Sequence, residues 1–116
     1  MAVTLINVFI VPKEREDEFL QNWKLTTTVF VKDPGFIEAH LHRNVGVGNG
    51  TFSFINIARW QSAEAWKVAH DAYSPSEYRI PGVKGHPAIF EPIVDAVHEG
   101  TKPAAPNFLH ASAKAG

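Results

Sequence analysis

The chain has 116 residues, a formal net charge of −1 and no cysteine. This length allows one domain with a hydrophobic core but not two. The balanced charge leaves no basic stripe for nucleic acid, and the missing cysteines exclude disulfides, cysteine-ligated metals and thiol catalysis. No apolar run is long enough to cross a bilayer, and the N-terminal segment lacks the features of a signal peptide, so we expect a cytoplasmic protein with no membrane partner.

The first predicted strand is Thr4–Val11, and its two faces are both largely apolar, so we expect both to be buried. Pro12 ends it, and a helix follows from residue 13 to about residue 32. Acidic residues crowd the first turns of that helix, where its dipole favours them. The segment Asp33–Gly35, read Asp-Pro-Gly, ends the helix and turns the chain.

The middle of the chain predicts a β-hairpin followed by a second helix. A second strand over Phe36–Asn44 and a third over Thr51–Trp60 are joined by a glycine-rich loop. Ser62 is a typical N-cap for a helix that runs to about Tyr73. Residues 74–87 read as irregular because of their prolines and glycines.

The last predicted strand is Ala88–Val97, which completes the order β-α-β-β-α-β of the ferredoxin-like α+β fold. Right-handed crossovers give a four-stranded antiparallel sheet in the order 4-1-3-2. We expect a domain over residues 1–100. Residues 101–116 are an Ala/Pro-rich tail that is either disordered or laid across a partner.

Two helices cover only one face of such a sheet, and the other face must be covered by something else. A second copy packed sheet to sheet is the simplest cover, so the sequence predicts a homodimer. On one assignment of strand phase, this face carries five apolar residues: Ile6, Val8, Ile10, Ile55 and Ile57.

The third strand carries the first candidate site, because Asn56 lies in the middle of an otherwise apolar segment. An unpaired buried amide costs about 1–3 kcal/mol, so either the backbone or a ligand satisfies it. Trp60 shares its face of the strand, as do Phe52, Phe54 and Ala58. An aromatic-walled surface with one amide is typical of a small-molecule pocket. The alternative is that Trp60 closes the core and Asn56 binds a loop.

The second helix presents Trp66, Ala69, His70 and Tyr73 at helical spacing. This stripe is either an ordinary core-facing surface with His70 at its edge or part of the same pocket. In the second case His70 or Tyr73 would serve as an acid or base, and an imidazole suits that work near neutral pH.

Three further polar residues have weaker signals. His40 and His42 lie on one strand face with Glu38, but no strong metal-ligand spacing accompanies them, so we expect no metal site. Asn7, on the first strand, either borders the pocket or is a structural amide. The facing of His42 depends on hairpin register, because a slip of one residue exchanges the two faces.

Three motifs point to a known family. They are Pro-Gly-Phe at Pro34–Phe36, Asn-Ile-Ala-Arg-Trp-Gln-Ser-Ala-Glu-Ala-Trp at Asn56–Trp66, and Ile-Pro-Gly-Val-Lys-Gly-His-Pro at Ile80–Pro87. Over residues 3–98 the chain resembles the antibiotic biosynthesis monooxygenases, which form dimeric α+β barrels. Within them its pattern is most similar to that of the cofactor-free anthrone monooxygenases of aromatic polyketide pathways.

This resemblance implies a set of catalytic residues: Asn56 and Trp60 on the third strand, Trp66 on the second helix, Arg79 after it, and His42 on the second strand. It also implies that no flavin, haem or metal is required. Trp66 stands where the family usually has a tyrosine, and its indole can donate a hydrogen bond but cannot titrate.

Haem-degrading relatives share the fold but fit less well. They use an Asn on the first strand, which Asn7 matches, with a Trp and a His that would fall on Ala69 and about Arg79.

The resemblance therefore implies a homodimeric monooxygenase that oxidises a small aromatic or enolisable substrate with O2. A non-oxygenase small-molecule binder or isomerase-type protein on the same fold is the main alternative. A dimerisation module with a filled core is another.

Overall fold

The computed structural model of the protein describes residues 1–73 and 80–101, together with the backbone of residues 108–109. A single 3-10 turn at Lys13–Arg15 precedes the first α-helix. The elements are β1 (Val3–Ile10), α1 (Glu16–Phe30), β2 (Phe36–Arg43), β3 (Phe54–Trp60), α2 (Ala63–Tyr73), β4 (Lys84–Phe90), β5 (Asp95–Ala96) and β6 (Phe108–Leu109). None of the helices in these residues is long and apolar enough to cross a membrane.

The four long strands form one antiparallel sheet in the order β2-β3-β1-β4. This is the predicted order read from the other edge, so the predicted topology and the α+β ferredoxin-like class are confirmed. Both helices pack against the same face of the sheet. In β3 the residues of this face are buried and those of the opposite face are half-buried or exposed, which is the alternation that the two-residue period of a strand requires.

Local chemistry sets the ends of both helices. Ser62 Oγ accepts a hydrogen bond from the Ala65 amide at 3.0 Å and so caps α2 as predicted. After α1, Asp33 Oδ1 accepts from the Gly35 amide at 2.8 Å and closes the turn. A Cβ at Gly35 would lie 2.6 Å from the Ala65 Cβ, so the turn approaches α2 this closely only with glycine at that position.

A β-bulge in β2 decides which side chains of that strand face the helices. Phe36 pairs with Trp60, but the next pair is Glu38 with Arg59, so one extra residue is accommodated at Ile37. A bulge of this kind exchanges the two faces of the rest of the strand. Consequently Phe36 faces the helices, whereas His42, paired with Ile55, lies on the opposite face.

The predicted bounds of the fourth strand were wrong, because β4 covers Lys84–Phe90 rather than residues 88–97. The strand contains Pro87, which a central strand would not tolerate. It pairs only with β1, at the edge of the sheet, where a residue without an N–H need not donate. Asn7 Oδ1 also accepts from the His86 amide at 2.8 Å, which ties the edge strand to β1 by a side chain.

The face of the sheet opposite the helices is left uncovered by the described residues. Ile6 and Val8 are half-buried there, while Ile10 is 45% exposed, Ile57 39% and Phe90 49%. A contiguous apolar surface of this kind on a sheet is typical of a protein interface. Beyond it, β5 and β6 pair in parallel. Most of the predicted tail over residues 101–116 lies outside the described residues, and the proposed domain division stays a prediction.

Candidate functional site

A cavity of about 190 Å³ lies between the sheet and both helices. Its walls are mainly aromatic and aliphatic, with a few amides and hydroxyls, which is the usual composition of a small-molecule site. The strands contribute Leu5, Asn7, Phe9, Phe36, Ala39, Asn56, Ala58, Trp60 and Pro87, and the helices contribute Phe19, Asn22, Trp23, Thr26, Thr27, Phe30, Trp66 and His70.

The cavity divides the hydrophobic core into two parts. One cluster of buried side chains is centred on Trp60 and Leu5, and the other on Phe19 and Phe54. Members of both clusters line the cavity, with polar residues between them, among them the cross-strand neighbours Asn7 and Asn56. Protein cores are normally close-packed without such gaps. A polar-lined gap in the middle of the core indicates a binding site rather than a packing module.

Strand β3 carries two unpaired polar atoms on residues that line this cavity. Asn56 is 8% exposed and Trp60 is 2% exposed, and both side chains line the cavity. The Asn56 Oδ1 atom and the Trp60 Nε1 atom are buried, and neither has a hydrogen-bond partner among the described residues. Because buried polar groups are nearly always paired in native proteins, this acceptor and this donor are suited to a bound ligand.

Packing against two rings fixes the position of the Trp60 indole. Phe30 and Phe36 both meet the ring edge-on, with centroid distances of 5.8 and 5.4 Å. These contacts come from α1 and from the start of β2, so three elements hold the indole in place. A donor held this rigidly is preorganised and needs little rearrangement to bind an acceptor.

Asn7 lines the same cavity but is already engaged. It lies directly opposite Asn56 in the β1–β3 pair, and its Oδ1 atom accepts from the His86 amide of β4. Both sequence interpretations of Asn7 therefore apply, since it borders the cavity and is also a structural amide.

Helix α2 contributes Trp66 and His70, whose rings lie against each other with centroids 4.9 Å apart and planes inclined by 36°. The His70 side chain is 39% exposed, so its ring lies where the cavity meets solvent. Its Nδ1 atom is 3.7 Å from Asp71 Oδ1. The hydrogen bond that Lys67 donates to Asp71 at 2.7 Å lowers the pKa of Asp71, with smaller contributions from His70, so a carboxylate stays beside the imidazole near neutral pH.

Helix α1 supplies a polar wall that the sequence interpretation missed. Asn22, Thr26 and Thr27 line the cavity, and Thr26 Oγ1 donates to the Asn22 carbonyl one turn earlier. The available signal was the position of Asn22 and Thr26 between Phe19, Trp23 and Phe30, where a helix packed on a closed core would carry apolar residues.

Several predicted site residues lie outside the cavity lining. His42 is on the opposite face of the sheet because of the β2 bulge, so the structure does not place it with Asn56. Phe52 precedes β3 and packs near the His86 ring, with centroids 6.5 Å apart. Phe54 is 1% exposed and stacks on Phe19 at 4.9 Å as part of the core. Tyr73 packs edge-on against Phe30 at 5.8 Å. Arg79 lies outside the described residues.

No cluster of metal-ligating side chains occurs within the described parts of the chain. The pair considered from the sequence, His40 and His42, is exposed, and the His40 Nε2 atom is 3.9 Å from Glu38 Oε2. Ala69, which the sequence resemblance matched to a Trp of haem-degrading proteins, is buried at 1% in the core, and its methyl group offers no polar or aromatic contact.

Comparison with solved structures shows the same fold. A protein from Shewanella loihica PV-4, named as a candidate monooxygenase, has a TM-score of 0.67 and 29% identity, covering 79% of this chain and 94% of that one. The cofactor-independent oxygenase SnoaB of Streptomyces nogalater has a TM-score of 0.66 and 24% identity, covering 78% and 92%. The heme-degrader MhuD of Mycobacterium tuberculosis has a TM-score of 0.60 and 23% identity, covering 80% and 97%. At identities below 25% the likeness is one of fold.

Among curated proteins no sequence gives a significant match. The family of antibiotic biosynthesis monooxygenases matches residues 2–73, from the first strand to the end of α2. That span includes Asn56, Trp60, Trp66 and His70, and it confirms the resemblance noted in the sequence. The chain belongs to the antibiotic biosynthesis monooxygenase family.

Proposed function

We propose that the protein is a cofactor-independent monooxygenase that oxidises a small aromatic or enolisable substrate with O2. One observation carries the proposal: an unpaired acceptor on Asn56 and an unpaired donor on Trp60 are buried at one aromatic-walled cavity. The shared fold with SnoaB, which is named as a cofactor-independent oxygenase, supports the type of reaction.

The substrate would supply the electrons itself. A ring CH2 group that is conjugated with a carbonyl and lies opposite it, as in the keto form of a 1-naphthol, loses a proton, and the resulting anion passes one electron to O2. The two radicals combine to a carbon-bound peroxide, which loses water to leave a carbonyl. The balance is CH2 plus O2 to C=O plus H2O, with one oxygen atom in each product.

Trp60 is proposed to stabilise the anion. Negative charge develops on the substrate carbonyl oxygen when the proton leaves, and a fixed N–H donor in a water-poor cavity favours that charged state. The edge-on contacts of Phe30 and Phe36 hold the indole in place for this role. Arg79 is proposed, on the family resemblance alone, to add positive charge nearby.

His70 is proposed to take the proton. It is the one imidazole, and the one acid or base side chain, among the described residues that line the cavity. The Asp71 carboxylate would neighbour the imidazolium that forms. Trp66, which cannot titrate, would position the His70 ring by lying against it. We leave His42 out of the proposed site, because it faces away from the cavity.

A homodimer is part of the proposal. The uncovered apolar face, centred on Ile6, Val8, Ile55 and Ile57, is suited to a second copy of the same face related by a two-fold axis. A stable interface of this type buries at least about 1,000 Å² in total.

The non-oxygenase alternative is retained for one reason. Trp66 replaces the tyrosine expected from the family, so a proton-transfer group is missing at that position. A protein that binds the same ligands without consuming oxygen would have this pocket too.

Oxygen uptake distinguishes the two functions. Chelator-treated protein is mixed with 1-naphthol, 1,5-dihydroxynaphthalene or anthrone, and uptake above the rate of spontaneous oxidation is measured. We expect one O2 consumed per quinone formed with at least one of these compounds. Tight binding without oxygen uptake would support the alternative. The absence of both binding and uptake would contradict both functions.

A further inference from the structure

We propose that the ligand of this cavity is a neutral hydroxylated aromatic of no more than two fused rings, one of whose hydroxyl groups donates to Asn56. The proposal rests on the proposed function only for the location of the site. It adds the size, the charge and the hydrogen-bonding pattern of the ligand.

The size follows from the volume of the cavity. A cavity of about 150 Å³ is enough for benzene, and the cavity here measures about 190 Å³. Each further fused ring adds four carbons to the six of benzene, or roughly another 100 Å³ on the same scale. One ring is therefore enclosed and a second fills the space up to the mouth beside His70, so a third ring has no enclosed space left to occupy.

Rigid neighbours prevent these walls from giving way. At one end Trp60 is held between Phe30 and Phe36. At the other end Phe19 is 5% exposed and is packed against Phe9 and Phe54, with ring centroids 4.8 and 4.9 Å away. Close-packed aromatic clusters of this kind transmit strain instead of absorbing it, so we expect a sharp limit on ligand length.

The hydrogen-bonding pattern follows from the two unpaired atoms. Asn56 Oδ1 can only accept, so it requires an O–H or N–H donor and disfavours an ionised oxygen. Trp60 Nε1 can only donate, so it requires a ligand oxygen. Asn56 and Trp60 are four residues apart on one strand, which separates their Cα atoms by roughly 13 Å. Two different oxygen atoms of the ligand are therefore the simplest partners.

The two hydrogen bonds hold different parts of the ligand. The oxygen at Trp60 belongs to the reacting ring, where the anion develops, and the hydroxyl at Asn56 belongs to the part that does not react. With 1,5-dihydroxynaphthalene, oxidation opposite one hydroxyl gives 5-hydroxy-1,4-naphthoquinone and water from one O2, and the other hydroxyl is unchanged.

Calorimetric titration without oxygen tests both parts of the proposal. For the wild-type protein we expect 1,5-dihydroxynaphthalene to bind at least tenfold more tightly than 1,5-dimethoxynaphthalene, which lacks donors, and than 1,5-dihydroxyanthracene, which adds a ring. In Asn56→Leu the preference over the dimethoxy compound should shrink to less than threefold, since the acceptor is gone. If the methyl groups were excluded by size alone, that preference would persist in the variant and the hydrogen-bond assignment would be wrong.

Enlarging the cavity tests the size limit by a gain of binding. Trp23, half-buried on α1, lines the cavity, and Trp23→Ala should improve binding of the three-ring compound at least tenfold. Thr27→Ala, at a smaller side chain of the same wall, is a second variant that keeps the test available if Trp23→Ala does not fold. Equal binding of the two- and three-ring compounds to the wild-type protein would overturn the size limit. Oxygen uptake is measured separately, so absent uptake with the expected binding pattern would refute the oxygenase function and leave this inference standing.

Discussion

Replacement of Asn56 by leucine should make the protein more stable and less active. Leucine has nearly the shape of asparagine but no polar atoms, so it removes the unpaired Oδ1 atom without opening a cavity. An acceptor buried without a partner costs about 1–3 kcal/mol. Asn56 is 8% exposed and borders a cavity that can admit water, which places the expected gain near the lower limit, at about 1 kcal/mol.

This gain is measurable in a chain of 116 residues. One kcal/mol corresponds to a rise in melting temperature of about 4 °C for a domain of this size. The opposite change is expected in turnover. A substrate hydroxyl that loses its acceptor inside the cavity is left unpaired at a cost of about 1–3 kcal/mol, which lowers kcat/KM roughly 5- to 150-fold.

Asn7→Leu is the matched control, because Asn7 lies directly opposite Asn56 and borders the same cavity. Its Oδ1 atom accepts from the His86 amide at 2.8 Å, so this variant should lose about 0.5–1.5 kcal/mol of stability. Thermal melts and kinetics on both variants give the comparison. If Asn56→Leu were destabilised as much as Asn7→Leu and kept its turnover, Asn56 would be a structural residue and the site assignment would be refuted.

Three further predictions concern the indole, the proton and the interface. Trp60→Phe should reduce kcat/KM at least tenfold while unfolding at nearly the wild-type denaturant concentration. Val11→Ala, a change at a buried residue outside the cavity lining, should lower stability and spare kcat/KM. The reverse pattern would make Trp60 a packing residue. His70→Gln should lower kcat by roughly 10²-fold or more with ligand affinity within threefold of wild type by calorimetry, and an unchanged kcat would exclude His70 as the base. Ile57→Lys, on the uncovered sheet face, should give monomers by light scattering. The control Val68→Lys, on the exposed side of α2 at 69% exposure, should stay dimeric. A wild-type monomer at micromolar concentration would contradict the dimer.

The sheet could be predicted from the sequence because several independent sequence features indicate the same strand order. Four alternating buried positions in β3 and the order of helices and strands all point to the same topology, and an error at one residue changes none of them. Asn56 was identifiable for a related reason, since one amide in an apolar strand has few explanations.

The facing of His42 could not be predicted, because it depends on one inserted residue. Without the bulge at Ile37, the pairing of Phe36 with Trp60 would carry His42 onto the same face as Asn56. The start of β4 was missed for a similar reason. Pro87 argues against a strand unless the strand is known to lie at an edge, and edge position is a property of the assembled sheet.

The polar wall of α1 is the third feature that was missed. The position of Asn22 and Thr26 among apolar residues of α1 signals that the core is not closed there, but only the gap between the two core clusters shows that they line a cavity. The size of a void between a helix and a sheet depends on the distance at which packing holds them, and a local sequence pattern does not encode that distance.

Isotope labelling is the sharpest test of the proposal that the cavity at Asn56 and Trp60 performs oxygenation without a cofactor. Chelator-treated wild-type protein is incubated with 1,5-dihydroxynaphthalene under ¹⁸O₂, and the 5-hydroxy-1,4-naphthoquinone formed is analysed by mass spectrometry, with Trp60→Phe as the matched control for spontaneous oxidation. We predict one ¹⁸O atom per quinone, formed at least tenfold faster with the wild-type protein than with the variant. Equal rates for the two proteins, or a quinone whose new oxygen comes from water, would contradict the account.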